Sequence, residues 1–502
     1  MEIFLASLPI ILLIALMGVF KMSGDKSSVI TLGVTIVLAL TAFHLSGTDT
    51  FNSFLYGAIK AISPILIIIW MAIYSYNVLV LTKKMEILKQ QFASISTDKS
   101  IQVLLITWGF GGLLEAMAGF GTAVAIPAAI LIGLGFKPGF SALVSLIANS
   151  VATAFGAVGT PVIVLAQETG LSVHELSSTI VLQQSVLMFL IPFILVFLSD
   201  PHLKSLPKNL LLSVAVGSVS FLAQYLAACY LGAETPAILG SLASILVIIL
   251  LAKVFRKHTQ EKETITPIKY TTGQIFQAWI VYILILGLVI ITSPLFPAIR
   301  NTLDGLLISP IQISILGVPK LYPIHWLTHT GLLLFIGAFA GGFIQGASVG
   351  ALLQELWKTL VQLKKTIITV ICLVSLSTIM DTAGMINILA VALATATGAL
   401  YPLFAPAIGA LGTFLTGSDT SANILFGKLQ AQVAANIGVD PTWLSASNTV
   451  GATGGKIISP QSIAIATSAS GHEGQEGNIL KSSLPYAIGY VIIAGVLVYF
   501  FS

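Results

Sequence analysis

The sequence predicts an all-α polytopic membrane protein, with about 12 spans plus two re-entrant hairpins in an inverted repeat. Three observations predict it. The 502 residues are 56% hydrophobic and 8% charged, with mean hydropathy +0.99, whereas a soluble domain carries roughly 25% charged residues. Apolar runs close to the ~20 residues of a spanning helix recur from one end of the chain to the other. Two long apolar segments interrupted by Gly, Pro, Asn and Thr match each other. Such paired, broken segments point to the substrate site of a secondary transporter.

The continuous runs lie at 3–20, 28–46, 57–81, 176–198, 209–231, 236–252, 276–297, 331–354, 366–382 and 483–501. The first lacks a basic leader and an Ala-x-Ala site, so it reads as a retained span and not a cleaved signal. Residues 101–136 and 400–436 read as re-entrant hairpins, and 139–168 and 441–468 as discontinuous spans. Irregular backbone at membrane depth is tolerated only where protein or a water-filled cavity covers it. The stretch 82–99 reads as an amphipathic interfacial arm. The stretch 298–330, with Arg300, Asp304 and Lys320, reads as a long external loop.

The match is columnar. Ala148-Asn149-Ser150-Val151 corresponds to Ser447-Asn448-Thr449-Val450, and Thr160-Pro161 to Ser459-Pro460; each column lies 299 positions on (149 to 448, 161 to 460). Upstream, Gly119-Phe-Gly-Thr122 faces Gly417-Ser-Asp-Thr420, and Gly135-Phe-Lys-Pro138 faces Gly438-Val-Asp-Pro441. Topology follows from lysines, which favour cytoplasmic loops. Lys21 and Lys26, then Lys83, Lys84, Lys89 and Lys99, then Lys204 and Lys208 fall in alternate loops. So do the basic stretch with Lys253, Arg256, Lys257, Lys262 and Lys269, and Lys358, Lys364 and Lys365. The N-terminus is then outside. The two halves begin on opposite faces: 1–200 is a first repeat, 201–275 a connector with a basic cytoplasmic loop, and 276–502 a second repeat. The net charge of +4 belongs to this loop pattern, which excludes a nucleic-acid partner.

Three motifs are specific. Gly119-Phe-Gly-Thr-Ala-Val-Ala-Ile-Pro127, Thr416-Gly-Ser-Asp-Thr-Ser-Ala-Asn423 and Ser459-Pro-Gln-Ser-Ile-Ala464 closely resemble the bacterial lactate permease family, and the resemblance extends over essentially the whole chain. It implies a multi-pass protein of the bacterial cell membrane that imports lactate and glycolate with protons. That family is grouped with transporters built from inverted repeats with paired hairpins. The Asn-Ser/Thr columns also resemble the Ser-Asn-Thr motifs that hold sodium and carboxylates in dicarboxylate transporters of the wider group.

Glu115 is the only charged residue between Lys99 and Lys137, near the tip of the first hairpin; Asp419 lies near the tip of the second. A mid-bilayer charge costs about 2.5–3.5 kcal/mol on insertion scales, so such residues tend to be functional. A carboxyl taken out of water favours its protonated form, which suits proton coupling. The alternative is an acid satisfied by local backbone N–H groups. Asp381 reads as interfacial. Lys456, in the second discontinuous span, either attracts a carboxylate as a point charge or pairs with Asp419 or Glu115. Asn149, Ser150, Thr153, Thr420, Asn423, Asn448, Thr449 and Thr453 supply donors and acceptors where the helices break, and half-helix N-termini present N–H groups to an anion. The alternative is that these small polar residues merely join helices.

The sequence therefore reads as a proton-coupled importer of a small 2-hydroxy monocarboxylate. Its rivals are a sodium-coupled carboxylate carrier, a cation/proton antiporter and an intramembrane hydrolase. No zinc-protease or phosphate-loop pattern exists: His472-Glu473 is followed by Glu476, and Gly454-Gly-Lys456 is followed by Ile457. His325 and His329 lack a third ligand and read as external-loop residues. His44 reads as interfacial. Cys229 and Cys372 lie alone in separate runs, so neither a disulfide nor a metal or cofactor motif follows.

Overall fold

A computed structural model describes residues 2–119, 121–258, 270–471 and 475–502, with the side chains of 256–258 excluded. Lys262, Lys269, His472 and Glu473, and the side chains of Arg256 and Lys257, thus lie outside the described residues. Among the described residues, 11 helices are long and apolar enough to cross a membrane, or up to 12 if the bent pair Val173–Gln183 and Ser185–Ser199 is one span. The polytopic helical architecture matches the expectation.

Each half carries the same order of elements. A long helix (Gly47–Leu81; Lys364–Thr382) is followed by an arm helix (Lys84–Ala93; Met385–Thr397) and a helical hairpin. The hairpins pair Lys99–Met117 with Thr122–Gly133, and Tyr401–Thr416 with Asp419–Ile437. Next comes a broken helix, Pro138–Ala152 with Gly156–Thr169 in one half and Pro441–Lys456 with Pro460–Ala469 in the other. The long helix of each half packs against a helix that comes earlier in the other half than its counterpart: Gly24–Thr41 touches Lys364–Thr382, and Thr330–Ile344 touches Gly47–Leu81.

Close packing sets this geometry. A Cβ on Gly111 would meet Pro127 at 3.1 Å, and one on Gly412 would meet Ala422 at 2.9 Å, so both hairpins fold back on themselves. A Cβ on Gly451 would stand 1.7 Å from the Pro406 carbonyl oxygen, and one on Gly409 2.0 Å from that of Asn448. Only glycine lets the second hairpin's first arm lie so near the broken helix.

Local chemistry sets the breaks. Ser418 caps Asp419–Ile437 by accepting from the Ser421 N–H, and Ser459 caps Pro460–Ala469 by accepting from the Ser462 N–H, both at 3.2 Å. Proline at the first helical position needs no N–H partner. In the first half, Ala157, Val158 and Gly159 take φ of 44°, 55° and 75° before the helix resumes at Thr160-Pro161. A β-branched residue in this left-handed region is uncommon, and such strain clusters at functional sites.

Three expectations need correction. The stretch 298–330 is structured, with a helix Pro297–Leu306 and an antiparallel pair of strands, Ile308–Ile315 and Val318–His325. Alternation of Ile with polar residues in 311–315 favours a strand with one covered face. The run 331–354 is two helices, because Thr330–Ile344 ends before Gly346 at φ 97° and Ser348 caps a new helix at Val349. His329 is buried: its Nδ1 accepts from the Gly331 N–H at 3.1 Å, and its Nε2 lies 3.2 Å from Ser63 Oγ. The helix Met385–Thr397 was not among the expected elements; at 13 residues it is too short to read as a span.

Contacts group the loops at two ends of the bundle. Lys208 pairs with Asp98, and Lys84 donates to Gln277 at 2.8 Å. At the other end, Asp49 accepts from the Leu316 N–H at 2.7 Å and Asn52 donates to the Ser314 carbonyl at 2.8 Å.

Candidate functional site

The hairpin tips and the broken helices converge on one cavity of about 800 Å³. Its wall includes Glu115, Thr153, Asp419, Thr420, Lys456 and Gln461, and the exposed Lys21 and Lys365 also line it. Four helix starts reach it, at Gly121, Thr160, Ser418 and Pro460. The positive end of the helix dipole makes each start favourable for an anion.

The first arm of the first hairpin ends in Gly112–Met117, which places Glu115 about one turn before the tip. A Cβ on Gly156 would stand 2.8 Å from Glu115 Oε1, so the glycine makes room for the carboxyl at the helix break. Across the cavity, Asp419 opens the second arm of the second hairpin, and its Oδ1 accepts from the Thr413 hydroxyl at 3.1 Å. Lys456 Nζ donates to the Gly417 carbonyl at 2.7 Å and is the cation acting on both Glu115 and Asp419. Asn149 stands beside Glu115. Glu115 Oε2, Asp419 Oδ2 and both polar atoms of the Asn149 amide are buried without a hydrogen-bond partner among the described residues. Burying a polar atom unpaired costs about 1–3 kcal/mol, so a cluster of four calls for a functional explanation.

The remaining predicted residues lie behind the wall. Asn423 donates to the Pro161 carbonyl at 2.9 Å, and its amide oxygen accepts from Asn448 at 2.9 Å. The Thr449 hydroxyl joins the same amide at 2.9 and 3.1 Å, and Gln430 donates to Asn448 Oδ1 at 3.3 Å. This network ties the second hairpin to both broken helices. Ser150 donates to the Ile147 carbonyl at 2.8 Å. Thr453 bonds Tyr490 at 2.8 Å. The structure therefore brings Glu115, Thr153, Asp419, Thr420 and Lys456 to one cavity, with Asn149 beside Glu115. It sets Ser150, Asn423, Asn448 and Thr449 in the packing that holds that cavity's walls.

Two groups escaped the sequence reading. Gln461 lies against the second tip, where a Cβ on Gly417 would meet its Oε1 at 2.1 Å; its place in Ser459-Pro-Gln-Ser was the available signal. Lys60, a charge within an apolar run, pairs with Glu168 at 2.7 Å. The rule that intramembrane charges are functional would have flagged it.

Folded-back hairpins, broken helices and a charged cavity inside an apolar bundle define a multi-pass membrane transport protein. The chain belongs to the L-lactate permease family, which it matches over residues 2–502. It is 42% identical to the L-lactate permease of Streptococcus iniae over 442 residues, 88% of this chain and 93% of the relative. It is 33% identical to the glycolate permease GlcA of Escherichia coli K12, over 98% of this chain and 94% of the relative. The L-lactate permease of Bacillus subtilis 168 is 31% identical over the same shares. Among solved structures, Neisseria gonorrhoeae MtrF, of a class of antimetabolite efflux pumps, shares the fold with a TM-score of 0.51 at 10% identity, over 95% of this chain and 94% of that one. The protein is accordingly a cell-membrane permease.

Proposed function

We propose that the protein imports lactate or glycolate by proton symport, with the substrate carboxylate held near Lys456 and the proton carried by Glu115. The observation that carries this reading is the cavity itself: Lys456, two buried carboxyls with unpaired oxygens and four helix starts face the same space. The helix starts and Lys456 suit a carboxylate; Thr153, Thr420 and Gln461 offer partners for a 2-hydroxyl. Asp419 accepts a hydrogen bond from the Thr413 hydroxyl that favours its ionised form, and Glu115 Oε2 is buried without a partner among the described residues, so Glu115 is the readier proton acceptor. Loading one proton with one lactate anion carries no net charge across.

The lysine pattern makes the Lys21–Lys365 end cytoplasmic. The conformation is then inward-open, with the two repeats inverted about the membrane plane and 201–275 connecting them. The repeated order of elements and the exchanged helix contacts support that reading. Labelled lactate uptake into proteoliposomes, under a proton gradient or a sodium gradient alone, tests it. Accumulation is expected with the proton gradient. Accumulation driven only by sodium would replace the symport reading with the sodium-coupled one.

A further inference from the structure

The end of the bundle that bears the β-hairpin is sealed in layers, and four helices show the same order. Moving away from the cavity, Ile69, Pro161, Leu373 and Ser421 line the space. Ile65, Val164, Val374 and Ile424 follow as one buried apolar cluster. Lys60, Glu168, Ser377 and Lys428 come next. From Pro161 to Glu168 is seven residues, about 10 Å of helix, so the apolar plug is less than two turns thick.

The polar layer is tightly bonded. Lys60 Nζ lies 2.7 Å from Glu168 Oε1, with side chains only 9% and 2% exposed. Ser377 donates to Glu168 Oε2 at 3.3 Å. Lys428 pairs with Asp381 at 2.5 Å. The second strand lies above. Tyr322 donates to the Ser63 carbonyl at 2.7 Å, accepts from Gln167 at 2.9 Å and meets the Tyr56 ring edge-on at 6.1 Å. Lys60 and Lys320 stand 5.9 and 6.0 Å from that same ring. A buried ion pair is weak evidence for stability, because desolvation offsets much of its attraction. It is well suited to a closure that must break, because each member can exchange its partner for another ion of the same sign.

We propose that Lys60–Glu168, covered by Tyr322, latches the outer gate of the transport path, and that Lys60, released when the gate opens, is the first group to receive the incoming carboxylate. The inference rests on the transport reading above and extends it to a second anion site, two helical turns from the cavity. In opening, Lys60 exchanges the Glu168 carboxylate for the substrate's. Glu168 keeps Ser377, and Tyr322 swings away with its strand.

Thiol labelling reads the gate without substrate, so its result stands apart from what is transported. In a Cys229→Ser, Cys372→Ser background, Ser377→Cys should react slowly with a membrane-impermeant maleimide added outside. Glu168→Gln keeps the side-chain size but removes the ion pair, and should raise the rate by about tenfold or more through a shift toward the open state. Tyr322→Phe, on the hairpin, should raise it as well, and provides the reading if Glu168→Gln does not fold. Equal rates in all backgrounds would overturn the latch. Lys60→Gln should raise the KM for external lactate by about tenfold with a smaller change in kcat. An unchanged KM with a reduced kcat would overturn the docking role.

Discussion

Replacing Lys456 with glutamine should weaken lactate binding by roughly 10- to 150-fold, because a hydrogen bond to a charged group is worth about 1.5–3 kcal/mol. The structure sets where in that range the loss falls. Lys456 Nζ already spends one of its three donors on the Gly417 carbonyl at 2.7 Å, leaving two for a carboxylate in the cavity. It is half-buried, so its attraction is screened less than that of a surface lysine but more than that of a fully buried one. It also faces Glu115 and Asp419, whose negative charge it no longer offsets after substitution. That second effect adds repulsion toward an anion and pushes the loss to the upper part of the range. Calorimetric titration of lactate and propionate into the purified protein in nanodiscs measures it. Both ligands should weaken by a similar factor, since both carry the carboxylate that Lys456 attracts. A Kd within twofold of wild type, in a variant that elutes and melts normally, would refute the placement of the carboxylate at Lys456.

Asn423→Ala should act on stability, because it removes the bonds of its amide to the Pro161 carbonyl, the Thr449 hydroxyl and Asn448. At about 0.5–1.5 kcal/mol for each bond lost, the melting temperature should fall by several degrees; an unchanged melting curve would mean the network is dispensable. Glu234 lies in the turn before Pro236–His258, where burial pushes its carboxyl above the usual range. Its contribution is fully present below the unfolded value of about 4.3 and is lost as pH rises through the folded value. Glu234→Gln should therefore gain stability over wild type as pH rises from about 4 toward 7, and a pH-independent difference in melting temperature would contradict this. Single cysteines at Lys26 and Lys365 should label from the cytoplasm and one at Lys320 from outside; finding Lys26 and Lys365 on opposite faces would remove the inverted repeat.

Much of this architecture was legible because it is written in local chemistry. Gly417 ends one hairpin arm with a left-handed φ of 72°, and Ser459-Pro460 restarts a helix through a cap and a proline. Both are short-range signals, and the turn after Thr416 and the helix restart at Pro460 follow from them. The β-hairpin was missed because membrane-type composition biases the reading of 298–330 toward a loop, although 311–315 alternates. Nothing within either segment distinguishes Asn149, which stands beside Glu115, from Asn448, which is bonded into the helix packing. The two occupy equivalent columns, and their difference depends on Asn423 and Gln430, which reach only Asn448. Lys60 and Glu168 lie in different spans, so their pairing is a property of the assembled bundle.

The central claim is that Glu115 carries the proton that drives uptake. Glu115→Gln mimics the protonated side chain and cannot release a proton. Reconstituted into proteoliposomes, this variant should exchange labelled lactate for unlabelled lactate yet fail to accumulate it under a proton gradient. Accumulation equal to wild type would contradict the account and shift the coupling role to Asp419.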